Sequence, residues 1–153
     1  MNIFDAIKAE DVKVLQAIIA ANPNCLHTKD ARGFTPLILA TYMGTMEVTK
    51  ALLEYNIDVN AKDKSGNTAL MGVCFKGAQD YAGMLIDAGV NLDETNVNGT
   101  TALAFSATYD KLDMVKYLLE KGSDKNIKDK EGKTALDHAK SKGYVEIVGL
   151  LEG

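Results

Sequence analysis

The chain has little of what catalytic sites and secreted domains are built from. Its 153 residues include only two histidines, His27 and His138, more than a hundred positions apart. A Ser/His/Asp or Cys/His arrangement cannot be assembled around them. Two cysteines, Cys25 and Cys74, make no disulfide framework. No Cys/His set at close spacing is present to hold zinc. The glycines follow no phosphate-binding pattern. No apolar run approaches the ~20 residues that span a bilayer. The opening MNIFDAIKAED has no basic segment followed by a long apolar run, so no signal peptide is expected. Basic residues are in the minority: net charge is −4 and the pI about 5.2, which argues against general nucleic-acid binding. The expectation is a single cytoplasmic domain over 1–153 that is not an enzyme, with no catalytic residues, no metal, no cofactor and no membrane or nucleic-acid partner.

What is present is a period. Gly33, Gly66, Gly99 and Gly132 are spaced by 33, as are Thr35, Thr68, Thr101 and Thr134. Leu37, Leu70, Leu103 and Leu136 keep the same step, and so do Asp30, Asp63, Asn96 and Asp129. Four anchors in one register mark a stack of repeats, in which each unit contacts only its neighbours. The residue types predict the unit. Gly33 suits a turn with positive φ. Thr35 caps a helix that Pro36 opens, with Leu37, Leu39 and Ala40 on its apolar face. Gly44 breaks it. A second helix follows, turning Val48, Leu52 and Leu53 inward. Asn56 stands where that helix is expected to end in a left-handed residue, as Gly89 and Gly122 do in later copies.

This pattern resembles the ankyrin repeat family. The residues carrying the resemblance are Asp30, Gly33, Thr35-Pro36-Leu37, Ala40, Gly44, Val48, Leu52-Leu53 and Asp58-Val59-Asn60. They recur at Thr68-Ala69-Leu70, Thr101-Ala102-Leu103 and Thr134-Ala135-Leu136. The resemblance implies an all-α solenoid: stacked helix–turn–helix pairs with β-hairpin-like turns along one side. Residues 1–29 lack the turn motif and read as an amino-terminal capping repeat. Repeats follow at 30–62, 63–95 and 96–128, and 129–153 reads as the closing cap.

Within that frame, His27 and Cys25 fall in the first hairpin, and His138 takes the place of Leu39. Cys74 is a small core residue, too far from Cys25 to be bridged. Gly83 interrupts the second helix of 63–95 at an exposed site, and with Gly72 and Val73 it marks a locally weak repeat. Asp110 replaces the loop glycine and tolerates a left-handed backbone.

The resemblance further implies non-catalytic protein binding through a concave face made by turn tips and first helices. It places that surface at the second, third, fifth, thirteenth and fourteenth residues of each repeat. Phe34, Tyr42, Met43, Phe75 and Tyr109 are the large apolar groups there, and exposed apolar area marks interaction sites. Arg32, Lys64, Lys76, Lys130, Lys133 and Lys142 are the cations, against Glu131 alone. The face thus carries +5 and the rest of the chain −9, given the total of −4. A monomer is expected, binding a protein with an acidic or polar rim around an apolar spot. A scaffold or spacer, or a piece of a longer solenoid without a tight partner of its own, is the other reading.

Overall fold

A computed structural model describes residues 1–153. Each first helix begins where the sequence supplies a threonine. The Thr35, Thr68, Thr101 and Thr134 hydroxyls accept the N–H of Ile38, Met71, Ala104 and Asp137 at 3.1–3.3 Å. Such a cap contributes about 1 kcal/mol. The helices so started are α3 (Pro36–Met43), α5 (Ala69–Lys76), α7 (Ala102–Thr108) and α9 (Ala135–Lys142). Each is followed by an outer helix: α4 (Met46–Leu53), α6 (Gln79–Asp87), α8 (Leu112–Glu120) and α10 (Val145–Glu152). Ahead of them lie α1 (Ile3–Lys8) and α2 (Val12–Ala21). No residue is in a β-strand, and no helix is long and apolar enough to cross a membrane.

The inner layer packs in order, α1 on α3, α3 on α5, α5 on α7 and α7 on α9. The core has two parts. One gathers Ile3, Ile7, Leu15 and Ile19 with Leu39, Val48 and Leu52. The other runs from Leu37 and Ile38 to Leu151. Helix α3 feeds both, which is why Pro36 through Thr41 are all buried. Each fully buried Leu or Ile contributes roughly 1.5–3 kcal/mol.

Between the pairs lie tight turns. Oδ1 of Asp30, Asp63, Asn96 and Asp129 each accepts two backbone N–H groups, from the residues two and four places on, at 2.9–3.0 Å. Adjacent turns are tied by backbone bonds: Lys64 N–H to the Arg32 carbonyl, Val97 N–H to Ser65, and Lys130 N–H to Asn98. The periodic acids are therefore turn-formers. Gly33 is required twice over. Its φ is +78°, and a Cβ there would sit 2.7 Å from the Lys64 nitrogen.

Several local expectations are corrected. Asn56 is not left-handed, whereas Gly89 and Gly122 are. After α4 the Tyr55 N–H bonds the Leu52 carbonyl and the Ile57 N–H closes a small turn back to Tyr55, so no positive φ is needed. Cys25 and His27 lie in a 3₁₀ helix, Pro23–His27, and not in a hairpin, because Pro23 restarts helical backbone directly after α2. Leu53 is half-buried while Val48 and Leu52 are buried. Gly83 is half-buried: a Cβ there would lie 3.3 Å from the Tyr117 hydroxyl, reaching over from α8. Asp110 does adopt the left-handed conformation, at φ +59°.

The loop between α3 and α4 differs from its later counterparts. Gly77 and Gly143 have φ +74°, but Gly44 has φ −86°. Two bonds account for this. Thr45 caps α4 through the Val48 N–H, and the Tyr81 hydroxyl donates to the Gly44 carbonyl at 3.0 Å. Both cysteines are buried free thiols. Burial pushes the Cys74 thiol up to about 12.

Candidate functional site

The thirteenth and fourteenth places of the 33-residue register fall at the carboxyl ends of the inner helices, where no following helix covers them. Tyr42, Met43, Phe75 and Tyr109 are accordingly 46–51% exposed, as is Val97 on the third turn. One such group alone would be ordinary; several close together make an exposed apolar patch of the kind that marks interaction sites. Phe34 is half-buried, packed where the two parts of the core meet.

Tyr42 and Phe75 hold the same register place in consecutive repeats and line one groove, but each pairs with a different ring. The rings form two edge-to-face pairs: Phe34 with Tyr42 at 5.7 Å, and Phe75 with Tyr109 at 4.5 Å. Phe105 stacks on Tyr109 at 6.4 Å. Lys76 separates the two sets. Its ammonium lies 4.2 Å over the Tyr42 ring and donates to the Tyr42 carbonyl. Between the sets runs a groove of about 390 Å³. Tyr42, Phe34 and Ile38 line one side of it, Phe75 and Phe105 the other, with Gly72 between them. Gly72 takes the register position of Leu39, Phe105 and His138.

The cations are less free than their number suggests. Arg32 lies 4.1 Å from the Phe34 ring centre and pairs with Asp30 at 3.1 Å. Lys133 pairs with Glu131 at 3.5 Å. Lys64, Lys130 and Lys142 are exposed and make no ion pair. Positive charge is therefore strongest at the turn tips and at the last inner helix.

Two carboxylates on this side have shifted ionisation. Partial burial opposes ionisation of Asp30, but bonds from the Phe34 amide and from Arg32 hold its carboxyl below the usual range. Asp129 is held low by the Lys133 amide and by His138, whose Nε2 lies 2.7 Å from Asp129 Oδ2. His138 is thus a satisfied, half-buried side chain. The sequence does not announce this pair, since the two residues are nine apart and on different elements. A second cleft, about 380 Å³, lies near the start of the chain between His27, Lys29, Asp58 and Lys62. Nowhere do three or more His, Cys, Asp or Glu side chains come close enough to hold a metal ion.

Gly72 and Phe105 join this surface although the sequence reading did not include them. The signal was available: both sit at a register place where Leu39 is fully buried, so a glycine there opens space and a phenylalanine walls it.

Two family models match the chain. One, described as ankyrin repeats (3 copies), covers residues 3–96, well over half of the molecule. The other, described as ankyrin repeats (many copies), covers residues 85–139. No curated protein matches.

Proposed function

Because the chain belongs to the ankyrin repeat family, we propose that it is a non-catalytic binding protein that grips a protein partner with its concave face, the turns and inner helices. Repeats of this family are generally protein-interaction modules. The finer reading rests on one observation: Tyr42 and Phe75 are about half exposed and line a mostly apolar groove, with the equally exposed Tyr109 packed against Phe75. The partner is a protein whose apolar spot covers those rings and whose acidic or polar rim meets Lys64, Lys130, Lys133 and Lys142. Arg32, Phe34, Met43 and Lys76 complete the surface. A preformed stack loses little freedom on binding, so affinity comes from the ring anchors and selection from charge. In this reading the chain is one cytoplasmic, monomeric domain, with a cap at 1–29, repeats at 30–62, 63–95 and 96–128, and a closing repeat at 129–153.

Affinity capture from the source organism, followed by mass spectrometry, tests the proposal. A protein retained by the native chain and lost with Tyr42→Ala/Phe75→Ala supports it. Retention of the same proteins by both chains refutes it and favours a scaffold or spacer role.

A further inference from the structure

Asp30, Asp63, Asn96 and Asp129 share one register place, and each spends Oδ1 on two amides of its own turn. They differ in what the rest of the side chain does. Asp30 Oδ2 accepts from the Arg32 guanidinium at 3.1 Å. Asp129 Oδ2 lies 2.7 Å from His138 Nε2. Asn96 donates through Nδ2 to Asn67 at 2.9 Å. Asp63 alone has no hydrogen bond or ion pair on its second oxygen.

The register explains why. His138 stands nine residues after Asp129, and nine residues after Asp63 stands Gly72. The side chain that meets the turn carboxylate in the last helix pair is absent from the α5 pair. A Cβ at Gly72 would find nothing within 4 Å. The vacated space is the groove of about 390 Å³, which Asp63 also lines, walled by Phe34, Tyr42, Phe75 and Phe105.

Resting on the reading of this face as the binding surface, we propose that the groove over Gly72 takes one arginine side chain set within the partner's apolar spot, its guanidinium bonded to Asp63 and stacked on the ring walls inside the groove, while apolar groups cover the outer faces of the rings. The molecule already contains this combination once, in Arg32 against the Phe34 ring and the Asp30 carboxylate. Guanidinium suits both demands, a flat face for the rings and forked donors for the carboxylate. An apolar side chain would desolvate the Asp63 oxygen and leave it unpaired. Lys76 also lines the groove, but its ammonium is already engaged, held over the Tyr42 ring and donating to the Tyr42 carbonyl.

The test titrates the full ¹⁵N-labelled chain with acetylated, amidated pentapeptides that carry arginine, leucine or glutamate between small residues. The arginine peptide should saturate shifts at the Asn67, Gly72 and Phe75 amides, with the other two at least about tenfold weaker. Asp63→Asn keeps the turn bonds, as Asn96 does, and should weaken the arginine peptide by about tenfold. Gly72→His supplies an internal partner and should close the groove. A leucine peptide that binds as tightly as arginine, no saturable arginine shift, or full arginine affinity in Asp63→Asn would each overturn the proposal. If Tyr42→Ala/Phe75→Ala loses the natural partner while Asp63→Asn binds it at full strength, the arginine site falls and the concave-face reading stands.

Discussion

Ser123 offers the sharpest test of the packing account. It is 8% exposed, and its hydroxyl is the only buried side-chain polar atom without a partner. In the 33-residue register it takes the place of Ile57 and Val90, which pack on the core. The backbone is the same at both later sites: the Val90 N–H bonds the Leu85 carbonyl at 3.2 Å, and the Ser123 N–H bonds Leu118 at 3.0 Å. A valine therefore fits the backbone at 123 as it does at 90. An orphaned buried hydroxyl costs about 1–3 kcal/mol, and one more buried methyl contributes about 0.8 kcal/mol. Some of that gain is lost to imperfect fit, so Ser123→Val should stabilise by about 1–2 kcal/mol. The midpoint of urea unfolding, followed by circular dichroism at constant slope, measures it. Ser123→Ala removes the hydroxyl without filling its place and should gain less. A destabilised Ser123→Val with a neutral Ser123→Ala would mean the site is too tight for a second methyl. Destabilisation of both would mean the hydroxyl is satisfied after all, and the reasoning fails.

Gly72→Ala should stabilise by about 0.5–1 kcal/mol, since its Cβ meets open space inside a helix. Gly83→Ala should gain less than Gly72→Ala in the same denaturation assay, because the Tyr117 hydroxyl must give way. The depressed carboxyls of Asp129 and Asp137, held low by the Lys133 and Thr134 amides respectively, predict acid sensitivity. Their folded pKa lies below the ordinary 3.8, so their stabilisation is present above that pH and is lost as pH falls through the folded value. Unfolding midpoints should therefore drop below about pH 4 and drop less in Asp137→Asn. Both thiols should resist a thiol reagent in the native protein at neutral pH and react on unfolding, as burial raises both. Rapid native labelling of Cys74 would show that its helix opens easily.

The backbone was largely legible in the sequence, because it depends on residues that act locally. Thr35 and its counterparts cap whichever helix follows them, and Asp30 and its counterparts close turns within five residues. Side-chain partnerships were not legible, because they join residues on different elements, some a full repeat apart, whose identities vary from copy to copy. Tyr81 reaching Gly44 changes a loop, and Tyr117 reaching Gly83 half-buries a helix face. Asn56 failed for a nearer reason: the chain after α4 closes on Tyr55 and has no use for a left-handed residue. On the candidate surface the exposed rings were foreseeable from the register. Their grouping into two pairs with Lys76 between them, and the groove left by Gly72, needed the neighbouring helix in place.

The central claim is that the concave face, with its rings, is the working surface. Titration calorimetry of the captured partner tests it against the native chain, Tyr42→Ala/Phe75→Ala and Lys50→Ala, the last lying exposed on outer helix α4. The double substitution removes two half-exposed rings and should change folding stability by no more than about 1 kcal/mol. Binding should weaken by at least about 2 kcal/mol, as for anchor residues at an interface, while Lys50→Ala binds as the native chain does. A folded double variant with native affinity, or a loss of binding in Lys50→Ala alone, would contradict the claim.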